Sequence, residues 1–427
     1  MAKKNSKKDI IAYTVSLPAD AVESIRTYGK KEKRKFRLML ITDIRRKDKK
    51  RLKDYNDLDI LVEVDFSKPQ KIAEALLPYQ DELLAITCRS ESNLAKFSAV
   101  IPHVPYLRTP NTESIEWASD KLKMRKRFAL YDKKNTPQFS VVKENTKKER
   151  KRIIEKVGFP MVVKPANLAQ SLLVSICYHE EELEKALRFA FRRIRKIYAE
   201  NSRDELPQMM VEEYMDGSMY SVDAYVNSKG TVYFCPMVHV KTGKDIGHED
   251  FYNYLRITPT ALKKTTIERA RAVTETGIRA LGLRSTTAHV ELMKVDDDWK
   301  IIEIGARIGG YRHKMYQLSH GIDHSMNDVL VRMGKKPVIP KKRKGYVATM
   351  KWYPKKEGVI TKLKGIKKIR ELKSFVDILV SKKVGDRCMF AKNGGKAVFS
   401  MTLCNADRSK LLADIRRVEK LVDIKIK

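Results

Sequence analysis

The stretch from Glu291 to Gly310 constrains this chain more than any other: Glu-Leu-Met-Lys-Val-Asp-Asp-Asp-Trp-Lys-Ile-Ile-Glu-Ile-Gly-Ala-Arg-Ile-Gly-Gly. Two apolar-rich runs flank Asp296-Asp297-Asp298, whose short acidic side chains favour a turn, so the segment predicts a β-hairpin. A three-residue loop sets Val295 opposite Trp299 and, stepping outward, Glu291 opposite Glu303. Directly opposed residues have Cβ atoms about 4.5–5.5 Å apart, and like charges there destabilise the sheet. A positive group is therefore expected between the two carboxylates. By period-two alternation Lys294 and Lys300 fall on the other face. A hard divalent cation is the simplest candidate, because Mg²⁺ takes one or two carboxylates together with substrate phosphates. Arg307 returns to the face of Glu303 if the strand stays extended, offering a further cation for phosphate. The blander reading is a solvated hairpin face bearing two unrelated glutamates.

With 427 residues the chain has room for two or three domains, each with its own core. Its hydrophobic content of 42% suits a globular protein despite a net charge of +35. Basic clusters such as 30–35, 45–53, 147–152 and 341–344 would attract polyanions, and nucleic acid is one reading of them. They are scattered, however, without interleaved aromatic residues or a nucleic-acid-binding signature, and a solvated basic surface is the favoured reading. Cys88, Cys177, Cys235, Cys388 and Cys404 lie far apart, which argues against a structural zinc site or a disulfide framework. No sustained apolar stretch follows the basic start and no run approaches a membrane span, so a cytoplasmic protein with no membrane partner is expected.

The first ~35 residues are basic and poorly periodic, and read as a partly ordered arm. Apolar runs at 36–42, 59–64 and 83–88 then alternate with helix-like segments, predicting βαβ units and a small parallel sheet. Asn145-Thr146 can cap a basic helix ending near Gly158, followed by a strand at Met161–Pro165. A long helix is expected over about 180–199, strands at 208–214 and 220–226, and a threonine-capped helix over 265–282. Pro337–Lys344 reads as a linker, and the remainder as a small α+β appendage.

Three further groups suit a nucleotide site. Lys164 ends an apolar strand, where a buried lysine needs an anionic partner, although it could equally snorkel to water. Lys121 follows Asp120 at the start of a helix, placing a second cation where phosphate could approach. Val211-Glu212-Glu213-Tyr214-Met215-Asp216-Gly217 puts Glu212 on a strand running into a turn whose backbone can pair with a flat base.

Taken in order, these pieces resemble the ATP-grasp superfamily over about Asp120–Gly310, and in length and domain order its L-amino-acid ligase branch of carboxylate–amine ligases. The resemblance implies an α/β and α+β protein: an arm and pre-ATP-grasp parallel-sheet domain over 1–115, an ATP-grasp domain over 116–340 with a lid at about 137–215, and a small α+β domain over 341–427. It implies ATP and Mg²⁺, with Mn²⁺ the alternative metal. Lys121 and Lys164 would contact phosphates, with Ser171 in the loop over them; Glu212 and the connector to Met215 would hold adenine. Glu291 and Glu303 would bind the metal, Arg307 the transferred phosphate, and Arg256 would assist it as a catalytic partner. Three positions depart from the family pattern. The loop after Lys164 contains no glycine, the ribose-binding glutamate falls on Met219, and the asparagine that often completes the metal set falls on Gly305.

The function implied is formation of an amide or peptide bond from a small carboxylate and an amine through an acyl phosphate. A carboxylase of the same fold, or a non-catalytic nucleotide- or nucleic-acid-binding protein, remains the alternative. The substrates, the general base and the oligomeric state stay open, a homodimer included.

Overall fold

The computed structural model describes residues 8–45, 57–168, 172–200, 206–248 and 250–427. Its first sheet is wholly parallel: β1 (Ile10–Thr14), β2 (Arg37–Asp43), β3 (Ile60–Val64) and β4 (Leu83–Thr87) lie in the order β3-β2-β1-β4. The predicted parallel sheet is present, and residues 8–35 of the expected N-terminal arm are built into this domain rather than lying apart from it. β1 is an interior strand, and a helix follows at Ala19–Lys31. All five residues of β1 are buried, so Ile-Ile-Ala-Tyr-Thr reads as a short apolar run without alternation, and the lysine-rich start before it obscures it.

A second sheet, antiparallel, contains β5 (Phe139–Val142), β6 (Met161–Pro165), β7 (Ser175–Cys177) and β8 (Met209–Glu213) in the order β5-β8-β6-β7. Helices Lys147–Val157 and Glu180–Glu200 pack on it through Ile153, Leu183, Leu187 and Ile194. The first is capped as expected, Thr146 Oγ1 accepting from the Glu149 amide.

The third sheet dominates. β9 (Ser218–Val226), β10 (Val232–Phe234), β11 (Val238–Thr242), β12 (Asn253–Thr258), β13 (Thr286–Val295) and β14 (Asp298–Gly305) belong to it. So do β15 (Tyr346–Trp352) and two later strands, β16 (Phe375–Val380) and β17 (Phe399–Asn405). The order is β14-β13-β9-β11-β12-β15-β17-β16, with β10 added on β9. The segment after Pro337–Lys344 therefore does two things: Tyr346–Trp352, Phe375–Val380 and Phe399–Asn405 continue the central sheet, while Gly358–Lys364, Arg387–Cys388 and Asp423–Ile426 form a small antiparallel sheet of their own.

Alternation along β13 divides the sheet's faces. Ala288, Val290 and Leu292 pack with Ala270 and Ile278 of helix Lys264–Ala280, each buried aliphatic contributing roughly 1.5–3 kcal/mol. That helix begins after Lys263 without the expected threonine cap. His289, Glu291 and Met293 point the other way, towards helices Arg312–His320 and His324–Arg332 and a cleft of about 630 Å³. Among the described residues no helix is long and apolar enough to cross a membrane.

Candidate active site

Glu291 does pair with Glu303, but through a different turn from the one expected. Val295 pairs with Asp298 rather than Trp299, so the loop is Asp296-Asp297, with Asp296 at φ 49°. Leu292 then pairs with Ile301, and the register shifts by one residue before Glu291 meets Glu303. A bulge at Ile302 thus restores the pairing that the longer loop would have produced. It also reverses the alternation beyond it. Lys300 pairs with Met293 on the cleft side, contrary to expectation, and both Ile302 and Glu303 line the cleft. Lys300 is engaged elsewhere, its Nζ donating to both Glu213 oxygens at 2.8 and 2.9 Å.

Protein cations flank the two carboxylates. Lys121 Nζ lies 3.2 Å from Glu303 Oε2, and His289 Nε2 lies 3.5 Å from Glu291 Oε1. His289 is fixed by Asp223, a fully buried carboxylate on the neighbouring strand β9, which accepts from its Nδ1 at 2.6 Å. Asp223 also accepts from His324 Nε2 at 2.7 Å and from the Gly309 amide at 2.8 Å. A Cβ on Gly309 would fall 2.4 Å from His289 Nδ1, so only glycine allows the chain to come this close. Burial alone would raise the Asp223 carboxyl, yet His289 and His324 hold it well below the usual range. Burial opposes charge on His289, but Asp223 outweighs it and raises the imidazole pKa. The Glu291 carboxyl, also pushed up by burial, is brought down to about 2, chiefly by the His289 hydrogen bond. Sequence reading missed this network. Asp223 is the one acid in the expected strand at 220–226, and His289 lies two residues before Glu291, on its face of the strand.

At the other end of the cleft Lys164 and Glu212 face each other from adjacent strands, Nζ to Oε2 2.5 Å. The Glu212 carboxylate also accepts from Arg125 Nε at 2.8 Å, and Arg125, wholly buried, donates to the Ile302 carbonyl at 2.6 Å. Burial would raise the Glu212 carboxyl, but Arg125 and Lys164 bring it to about 2. Arg125 was not foreseen, because it sits in a helix of closely spaced basic residues with no pattern to single it out. The connector from Glu213 to Gly217 lines the cleft, Met215 included, and Met219 lines it as well. A Cβ on Gly217 would lie 2.1 Å from the Lys294 carbonyl, so glycine there lets the connector rest on the hairpin.

Arg307 lines the same cleft and donates from Nε to Glu91 Oε2 at 2.7 Å, an ion pair reaching into the N-terminal region. Arg256, on β12, is nine-tenths buried. Of the nine positions proposed from sequence for this site, eight line the cleft. Lys121, Lys164, Glu212, Met215, Arg256, Glu291, Glu303 and Arg307 all line it, whereas Ser171 lies outside the described residues.

Among the described residues no group of three or more His, Cys, Asp or Glu side chains could hold a metal ion by itself. Two opposed carboxylates with open space before them suit Mg²⁺, which draws its other ligands from phosphates and water, and do not suit an all-protein cage.

Residues 157–314 match the family model for the ATP-grasp domain. Alanine–anticapsin ligase of Bacillus subtilis (strain 168) is 26% identical over 242 residues, which cover 53% of this chain and 49% of that protein. The chain thus spans about half the length of this curated relative. D-Alanine–D-alanine ligase of Bacillus cytotoxicus is 39% identical over 87 residues, covering 19% of this chain and 24% of that one. The crystal structure of L-amino acid ligase from Bacillus licheniformis superposes with a TM-score of 0.76 at 17% identity, covering 99% of both chains.

Proposed function

From the premise that this chain belongs to the ATP-grasp superfamily, we propose that it is an ATP- and Mg²⁺-dependent carboxylate–amine ligase. The observation that carries the reading is the opposition of Glu291 and Glu303 in a cleft that also holds Lys121, Lys164, Arg256 and Arg307. Mg²⁺ held by Glu291 and Glu303 would neutralise phosphate oxygens, and ATP would supply the phosphoryl group that activates the carboxylate.

The chain's own residues do the rest by position and charge. Lys121, beside Glu303, and Lys164, at the end of β6, hold phosphates. The Glu212 carboxylate is committed to Arg125 and Lys164, so it orients Lys164 and leaves base recognition to the connector through Met215. Arg307 and Arg256 balance the charge on the transferred group. The substrate carboxylate then becomes an acyl phosphate, an amine displaces phosphate, and an amide remains.

The test is phosphate release from ATP with Mg²⁺ and pooled L-amino acids, with mass spectrometry for dehydrated condensation products. Amino-acid-stimulated release by the wild type, abolished in Glu303→Gln, supports the assignment. Turnover stimulated by bicarbonate without an amine would make it a carboxylase instead.

A further inference from the structure

Each carboxylate at the hairpin end of the cleft already faces a cation: Glu291 has His289, Glu303 has Lys121, and Glu91 has Arg307. Beyond them the balance reverses. Arg256 is 7% exposed, and its one hydrogen bond among the described residues goes to the Asn253 carbonyl at 3.4 Å. Lys351 on β15 has neither a carboxylate within salt-bridge distance nor a hydrogen-bond acceptor among the described residues, yet it lines the cleft. The two project from one face, because Arg256 pairs with Thr349 and Lys351 stands two residues further along that strand. Tyr311 joins them. Its ring centroid lies 5.5 Å from the Arg256 guanidinium and 5.3 Å from Lys351 Nζ. Tyr311 holds this place with φ at 63°, a left-handed conformation that a tyrosine adopts at a cost.

Two cations gathered beside one ring, neither with a carboxylate in contact among the described residues, are unfavourable in a largely buried site. Burial, and then Arg256, push the Lys351 ammonium down to about 8. An anion entering here would relieve both groups, whereas an ammonium would meet only repulsion.

We propose that Lys351, with Arg256 and the Tyr311 ring, forms an anion subsite beyond the phosphoryl-transfer position, and that it binds a second carboxylate of the acid substrate, one that ligation leaves intact. The acid substrate is then a dicarboxylate, such as an acidic amino acid, activated at one end and anchored by the other. Arg256 faces both positions, since its charge is felt by Glu291 on one side and by Lys351 on the other. The inference rests on the ligase reading, and the experiment separates the two.

Hydroxylamine serves as a generic amine, and hydroxamate formation is compared for L-aspartate and L-glutamate against L-asparagine and L-glutamine. The diacids should have the higher kcat/KM in the wild type. Lys351→Met should raise the diacid KM by about ten- to a hundredfold, the loss of one charge-assisted contact, while moving the ATP KM less than twofold. Lys351→Arg keeps the positive charge and should recover most of the affinity. Equal kcat/KM for diacids and their amides would overturn the subsite, as would an effect of Lys351→Met on hydroxylamine rather than the acid. If Lys351→Arg is as impaired as Lys351→Met, and both variants lose a rise in activity through about pH 8 that the wild type shows, Lys351 is a proton acceptor and the subsite is likewise overturned. Calorimetric titration of glutarate into the full chain needs no turnover. Binding lost in Lys351→Met upholds the subsite even if no substrate releases phosphate, and no binding by the wild type refutes it whatever the ligase assay shows.

Discussion

At the hairpin end of the cleft Glu291 and Glu303 stand on a sheet of nine strands, whereas at the opposite end Lys164 and Glu212 stand on one of four. The first pair is placed by backbone register and backed by the buried Asp223 with its two histidines and the Gly309 amide. The second is placed by side chains, Glu212 being clasped between Arg125 and Lys164. Register is a property of the whole sheet and tolerates loss of one side chain. A buried ion triad does not, because removing one member leaves an uncompensated charge.

That contrast can be broken in graded steps. Glu303→Gln should lower ATP-dependent phosphate release by about a thousandfold or more, the loss of a metal's charge stabilisation, while urea unfolding stays within about 1 kcal/mol of wild type. Arg125→Met should do the opposite and unfold about 3–5 kcal/mol more easily, measured by urea titration, since it strands Glu212 in the core. Comparable destabilisation by both variants would erase the distinction between the two ends.

Asp223→Asn is next in size. It keeps the shape of the side chain and should weaken Mn²⁺ binding about 10–100-fold by electron paramagnetic resonance, because His289 loses the charged partner that orients it towards Glu291. The triad also predicts a pH dependence. The Glu212 carboxyl falls from its ordinary 4.5 to about 2 on folding, so its contribution to stability is fully present above about 4.5 and is lost as pH falls towards 2. The stability gap between wild type and Glu212→Gln, followed by acid titration of circular dichroism, should narrow across that window; a gap that widens would mean the triad is not ionic. The smallest change expected is in Met219→Glu, which supplies a hydrogen-bonding carboxylate to the cleft and should lower the KM for ATP by about two- to tenfold.

How much was legible in the sequence follows the same division. Strands with clear turns or capped helices beside them were readable, as at Met161–Pro165 and Lys147–Val157, because local chemistry marks their ends. β1 was not, since five buried residues just after a lysine-rich start carry no alternation and its neighbours β2 and β4 come from further along the chain. Within the cleft, residues in ordered motifs could be placed by spacing. Arg125, Glu91 and Lys351 could not, because each reaches the cleft from an element whose approach only tertiary packing decides. The opposition of Glu291 and Glu303 was read correctly from a wrong loop length, two one-residue errors having cancelled: one in the turn and one at Ile302.

The extra residue at Ile302 has a mechanical consequence. It separates the tip of the hairpin from the acidic pair, so changes to Asp296-Asp297 can be taken up beyond it without rotating either carboxylate. Excising Ile302 itself would remove that slack: Ile301, opposite Leu292, would lead directly to Glu303, opposite Glu291, so the acidic pair would keep its face while Arg125 lost the Ile302 carbonyl that it holds.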